Sequence, residues 1–263
     1  MNLIIGDTSQ LTPYFKELDS NIVTVSSRDF TLDKVGNQKF DRAFLTFAEQ
    51  RTFLNEGVDF FTNINVDYTI KTIVNLSPVV KTFIVYSTSE LWNGYSGGIT
   101  LNMPFNNNNT PYIQSKEIME YRVNLLRQHG IDIKIVYPFN FNSPYRRDGF
   151  LFSKFMKVIL NKEHITVGDL NFSRDITHPK LIVDASLNTQ TDVIIGSGIL
   201  INIKQFYVDL LKEFSIIYEE YVTEESGSFV NTREPYFLKT DIKYNNLLKD
   251  TVNDIRKFKD SIG

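Results

Sequence analysis

The 263-residue chain has no cysteine, which excludes disulfides, thiolate nucleophiles and cysteine-held metals. A reducing, cytoplasmic setting is therefore expected. It has only three histidines, His129, His164 and His178, scattered without metal-ligand spacing, so no metal site is expected. Long hydrophobic runs are also missing: none approaches the roughly 18 residues of a membrane-spanning helix. The opening Met-Asn-Leu-Ile-Ile-Gly lacks the basic start and apolar length of a signal peptide. No role at a membrane is expected. Charge of one sign is scarce too, with a net charge of −3 and no stripe of Lys or Arg. Nucleic acid is an unsuitable partner for such a surface, because neutralising phosphates takes clustered cations. What remains is an ordinary globular composition, 42% apolar and 22% charged, with 21 Phe and 13 Tyr to fill a core.

Short apolar runs alternate with helical patterns through the first half. Asn2 to Ile5 reads as a buried strand ending at Gly6. Thr12 is placed to cap the helix that follows, with Pro13 at its first position. Strand, tight turn and helix form the arrangement that aims backbone N–H groups at a phosphate. A dinucleotide-binding turn has glycine at three points, and this one keeps only Gly6; Ser9 and Thr12 stand at the others. Ile22 to Val25 reads as a second strand, ending in Ser26-Ser27-Arg28-Asp29. A cation such as Arg28 there suits the extra phosphate of NADP, whereas an acid would favour NAD.

Further strands are expected at Phe40 to Phe47, Thr82 to Tyr86 and Ile131 to Val136, with helices over Gly57 to Leu76 and from Tyr112 to Gln128. This rhythm predicts an α/β fold, a Rossmann-like doubly wound parallel sheet. After residue 140 the rhythm changes. Residues 141–173 and 204–263 are expected to form a smaller C-terminal substrate-binding lobe. The last sheet strands would come from about 174–203, completing a nucleotide-binding domain over 1–140. Asn106 to Asn109 reads as an exposed loop and Glu224 to Ser228 as a polar turn.

Chemistry concentrates between Phe83 and Lys116. A buried-strand pattern ends in Ser87-Thr88-Ser89-Glu90, and Tyr112 and Lys116 follow four residues apart at a helix start. That spacing puts phenol and ammonium on one helix face, where the cation favours phenolate and proton transfer. An exposed helical pair is the plainer alternative for these two residues, and a capping or solvent-facing acid for Glu90.

Several segments in order resemble the extended short-chain dehydrogenase/reductase superfamily, and within it the GDP-mannose 4,6-dehydratases. Ser87-Thr88-Ser89-Glu90-Leu91 is similar to that family's S-T-S-E-L, and Tyr112-x-x-x-Lys116 to its Y-x-x-x-K. Phe139 to Arg146 is similar to F-N-H-E-S-P-R-R, with Tyr145 in place of the first arginine. Gly168-Asp169-Leu170 with Arg174-Asp175 and His178 resembles its G-N-L…R-D-x-x-H stretch. Ala48-x-Gln50 and Asn65 match two shorter signals, and Arg233-Glu234-Pro235 is loosely similar to an R-P-x-E segment. The Gly6-x-x-Ser9-Gln10-Leu11 turn also resembles the dTDP-4-dehydrorhamnose reductases.

The resemblance implies a homodimer that dehydrates a nucleotide sugar with bound NADP (or NAD). Tyr112 would take the C4 hydroxyl proton, Thr88 would hydrogen-bond that hydroxyl, and Glu90 would remove the C5 proton as water leaves C6. Lys116 would assist Tyr112 and hold the nicotinamide ribose. Gly6, Ser9, Gln10, Leu11, Arg28 and Phe47 would complete the cofactor site. Ser89, Asn140, Arg146 and Arg174 would face the substrate. An epimerase, a 4-keto-reductase and a non-catalytic binding protein on the same fold are the competing readings.

Overall fold

The computed structural model describes residues 1–28, 30–31, 34–36, 38–106, 110–225 and 234–262. Asp29, residues 107–109 of the asparagine loop, residues 226–228 of the polar turn and Arg233 lie outside them. The chain begins with β1 (Asn2–Ile5), α1 (Thr12–Leu18), β2 (Ile22–Val25) and β3 (Phe40–Leu45). A longer helical stretch follows, α2 (Val58–Thr62), a π-helical segment over Asn63–Tyr68, and α3 (Thr69–Leu76). Next come β4 (Val80–Tyr86), β5 (Gly97–Ile99), α4 (Pro111–Gln128), β6 (Asp132–Pro138) and β7 (Asn140–Phe141). The second half holds α5 (Leu151–Asn161), β8 (Ile165–Val167), β9 (Ser173–Thr177), α6 (Pro179–Asn188), β10 (Val193–Ile195) and β11 (Leu200–Asn202). It closes with α7 (Ile203–Lys212), α8 (Tyr218–Tyr221), β12 (Val222–Glu224), β13 (Tyr236–Leu238) and α9 (Leu247–Ile262).

The chain divides into two units, and the first comprises Met1–Leu91, Pro104–Pro138 and Lys180–Ile195. Its sheet has six parallel strands in the order β2-β1-β3-β4-β6-β10. Leu3, Ile4 and Ile5 of β1 and Phe83, Ile84 and Val85 of β4 are buried, as a strand covered on both faces requires. The chain leaves β1 toward β2, then crosses back so that β3 pairs with the other side of β1, Ile5 opposite Leu45. That reversal creates a crevice at the carboxyl ends of β1 and β3, where open α/β sheets bind ligands. Of the 174–203 stretch only β10 joins this sheet.

The second unit comprises Trp92–Met103, Phe139–Pro179 and Gly196–Gly263. Here β9 lies between β7, parallel to it, and β11, antiparallel to it; β8 pairs with β12 and β5 with β13. Its core gathers side chains from α5, α7 and α9, with Phe155 and Tyr207 stacked at 3.8 Å.

Two local expectations are corrected. Thr12 is not a cap: the helix starts at Thr12 itself, Leu11 is the N-cap residue, and the Thr12 hydroxyl donates to the Gly6 carbonyl at 2.8 Å. Regular helix from Gly57 to Leu76 predicts Val74 on the apolar face. The π-helical segment changes the phase, so Asn65, Val66, Thr69, Thr72, Ile73 and Leu76 are buried and Val74 is exposed.

Candidate active site

The first unit carries all four candidate catalytic side chains. Helix α4 starts cleanly because Thr110 accepts from the Ile113 N–H at 3.5 Å and Pro111 needs no partner for an N–H. Tyr112 opens it half-buried, its ring edge-on to Phe61 with centroids 5.9 Å apart. One turn later Lys116 is 2% exposed, and its Nζ donates to the Tyr86 carbonyl at 2.8 Å. The same Nζ lies 6.0 Å from the Tyr112 ring centroid. Burial lowers the Lys116 pKa to about 8, against an upward pull from Glu120.

Tyr86 ends β4, and the chain turns there through Ser87, Thr88 and Ser89, all buried. Thr88 Oγ1 accepts from the Glu90 N–H at 3.2 Å, starting the single 3₁₀ turn over Ser89–Trp92 and leaving Glu90 half-buried. Because Lys116 bonds to Tyr86, the stripe on α4 is fastened beside the Thr88–Glu90 turn.

Asn65 supports this arrangement from the π-helical segment. Its Oδ1 accepts from the Glu49 N–H at 2.8 Å, and its Nδ2 donates to the Glu49 carbonyl and the Ser115 hydroxyl at 3.1 and 3.0 Å. The Ser115 hydroxyl donates to the Tyr112 carbonyl at 2.7 Å. One buried amide thus joins the loop after β3 to the first turn of α4.

The candidate cofactor residues line the β1 end of the same unit. Gly6 has φ +126°, and a Cβ there would stand 2.5 Å from Thr46 Oγ1, so only glycine fits. Thr12 and Thr46 both donate to the Gly6 carbonyl, at 2.8 and 3.3 Å. The threonine at the third glycine position therefore folds back onto the turn it closes. Ser9 Oγ accepts from the Leu11 N–H at 3.3 Å, a contact that rotation of one side-chain bond releases, while Leu11 is buried and Gln10 half-buried. Arg28 is exposed after β2, and Phe47 packs on Tyr68 at 5.0 Å, whose hydroxyl donates to the Ser27 carbonyl. The tight Gly6 turn, the closing threonines and the buried Lys116 fit a dinucleotide.

Three of the four candidate substrate residues belong to the second unit; Ser89 belongs to the first. Asn140 is exposed and pairs through its backbone in β7. The Arg146 guanidinium sits 3.9 Å from the Phe150 ring centroid, and that of Arg174 5.1 Å from Phe172. Arg174 Nη1 also donates to the Ser173 carbonyl at 3.2 Å. Among the described residues no group of three or more His, Asp and Glu could hold a metal ion.

A model of the NAD dependent epimerase/dehydratase family matches residues 9–193. The chain belongs to that family. Among solved structures it is similar to MoeE5 in complex with UDP-glucose and NAD, with TM-score 0.81 and 16% identity over 100% of this chain and 99% of that one. It is also similar to RMD from Pseudomonas aeruginosa with NADPH, with TM-score 0.78 and 16% identity over 99% of both chains. DesIV, a dTDP-glucose 4,6-dehydratase from Streptomyces venezuelae with NAD bound, gives TM-score 0.78 and 18% identity over 99% and 98%. At such identities the likeness is one of fold. No curated protein sequence matches the chain.

Ser87 stands out in the sequence only as the first residue of the S-T-S-E-L segment, and Glu120 is not among the candidate residues. Glu120 continues the Tyr112–Lys116 stripe by four more residues, a spacing that was there to be read.

Proposed function

We propose that the chain is a nucleotide-sugar 4,6-dehydratase with a GDP-mannose-like substrate, using NADP or NAD. The observation that carries this reading is the Lys116–Tyr86 bond, which fastens the Tyr112–Lys116 face to the turn bearing Thr88 and Glu90. The dehydratase-like S-T-S-E-L at Ser87 to Leu91 supports it, as does membership of the family.

Gly6, Ser9, Gln10, Leu11 and Phe47 would hold the dinucleotide, with Arg28 at a 2′-phosphate and Lys116 at the nicotinamide ribose. When bound, it supplies the acceptor for a hydride from sugar C4 and the donor of that hydride to C6. Tyr112, as phenolate, accepts the C4 hydroxyl proton while Thr88 hydrogen-bonds the same oxygen. The Lys116 ammonium balances the charge on the phenolic oxygen. With C4 a ketone, the C5 proton is acidic; the Glu90 carboxylate takes it and passes it to the C6 hydroxyl, which leaves as water. A proton equivalent to the one Tyr112 accepted returns to C5 as hydride returns to C6. Ser89 near this turn, and Asn140, Arg146 and Arg174 with their donor groups, are assigned to the nucleotide sugar. An epimerase has no elimination for Glu90 to assist, so this acid separates the two chemistries.

The test is incubation with GDP-, dTDP- and UDP-hexoses in the presence of either dinucleotide, followed by mass spectrometry. Loss of one water with no net consumption of NAD(P)H is expected, and Glu90→Gln should lower its rate by about 10²–10³-fold. Isomerisation without water loss would identify an epimerase; net NADPH consumption when 4-keto nucleotide sugars are supplied instead would identify a reductase, as the turn resembling dTDP-4-dehydrorhamnose reductases suggests. Absence of binding to either dinucleotide would leave a non-catalytic role.

A second copy of the chain is the proposed partner of α3 and α4, where Val74, Ile118 and Tyr121 are exposed, Tyr121 by 64%. Sedimentation at micromolar concentration should give a dimer that Tyr121→Glu weakens; a monomer in both would end this reading.

A further inference from the structure

Glu120 is a buried acid to which the proposed chemistry gives no task. Glu120 lies one helical turn beyond Lys116, as Lys116 does beyond Tyr112, so three ionisable groups run along one face of α4. Its carboxyl is held at both oxygens: Oε1 accepts from the Ser87 hydroxyl at 2.6 Å and Oε2 from the Tyr137 hydroxyl at 2.9 Å. Ser87 stands directly between Tyr86, whose carbonyl receives Lys116, and Thr88. Lys116 is thus buried against a neutral acceptor, with an anchored carboxyl one turn away. A buried ammonium beside a carbonyl alone tends to give up its proton, whereas a nearby carboxylate holds it.

We propose that Glu120 is a positioning residue for Lys116, keeping it as the ammonium at the pH of catalysis, with Ser87 and Tyr137 fixing the carboxyl for that purpose. The proposal deepens the reading above, since Lys116 must be charged to support a phenolate at Tyr112. Burial raises the Glu120 pKa to about 7, against the hydrogen bonds from Ser87 and Tyr137. The pair therefore changes state near neutrality, Glu120 losing its proton first and Lys116 next. The other groups that act on it are Tyr137 on β6 and Asp192 just before β10, which pushes Glu120 further up; Arg127, paired with Asp192, acts on Tyr137. Once Glu120 is ionised, Lys116 is held charged to higher pH; with a neutral residue at 120 it loses its proton sooner.

The experiment is a pH titration of lysine side-chain carbons by NMR in protein labelled with [ε-¹³C]lysine, without cofactor. The Lys116 signal is identified as the one missing from Lys116→Met. In Glu120→Gln its midpoint should fall by about one pH unit. If that variant does not fold, Tyr137→Phe, which keeps the acid but removes one anchor, should shift the midpoint the same way by less. An unchanged Lys116 midpoint in whichever folded variant is measured overturns the proposal. In turnover assays the alkaline limb of kcat should move down with the midpoint while KM stays constant; a fall in kcat at every pH alike would indicate a structural role and count against it. The titration uses no substrate, so failure of the dehydratase reading, seen as absence of dinucleotide binding by the wild type, remains distinguishable.

Discussion

Replacing Tyr112 by phenylalanine is expected to lower nucleotide-sugar turnover by about 10²–10⁴-fold while dinucleotide binding and folding persist. The substitution removes one oxygen and keeps the ring that meets Phe61 edge-on. The first turn of α4 is held by Thr110, Pro111 and the Asn65–Ser115–Tyr112 carbonyl relay, and none of these bonds uses the phenol. Lys116 keeps its bond to the Tyr86 carbonyl, so the group assigned to the cofactor ribose stays in place. What is lost is the acceptor for the C4 hydroxyl proton. That step precedes every later one, so water loss and hydride exchange at C4 should fall together. Initial rates for both, with calorimetric titration of the dinucleotide, would check this. A loss smaller than tenfold would remove Tyr112 from the chemistry, and equal losses of rate and dinucleotide affinity would recast it as a binding residue.

Much of this site was legible because the elements carrying it are bounded by strong local signals. The runs before Gly6 and before Ser87 are apolar on both faces, as buried parallel strands must be, and α4 is framed by Thr110-Pro111 and Gly130. The four-residue step from Tyr112 to Lys116 is a property of any helix, so their shared face followed at once. The π-helical segment was not legible, since a change of helical phase leaves no compositional mark, and it reverses the expectation for Val74. Nor did the sequence separate the strands near 174–203. At three to five residues, β9, β10 and β11 look alike in pattern, and only long-range pairing sends β10 to the main sheet and the others elsewhere. The expectation for Thr12 failed because a hydroxyl near a helix start can cap the helix or bond backward, and Gly6 offered the better acceptor.

Asp175→Asn is expected to destabilise the second unit by about 3–5 kcal/mol, although the change is a single atom for another of similar size. Asp175 lies fully buried in β9 and receives four hydrogen bonds. Its Oδ1 accepts from the Ser197 N–H and hydroxyl, both at 2.7 Å, and its Oδ2 from the N–H groups of Gly198 and Leu238 at 3.0 and 2.9 Å. One carboxylate therefore fastens the turn after residue 195 and the end of β13 to β9. The packing is tight enough that a Cβ on Gly196 would stand 2.7 Å from Oδ2. An ionised carboxylate is acceptor-only at both oxygens, whereas an asparagine must present an NH₂ on one side. On either side that NH₂ meets donors, leaving backbone N–H groups buried and unpaired at about 1–3 kcal/mol each. Urea unfolding followed by circular dichroism should show the lowered midpoint, with Asp175→Ala falling at least as far. The neighbouring Arg174 is assigned to ligand, and a carboxylate beside it could serve the same purpose. An unchanged midpoint together with weakened nucleotide-sugar binding would show that Asp175 acts on the ligand and not on the fold. With all its oxygens committed to backbone and to Ser197, the expected result is the reverse: a lower midpoint, with binding in the surviving folded fraction preserved.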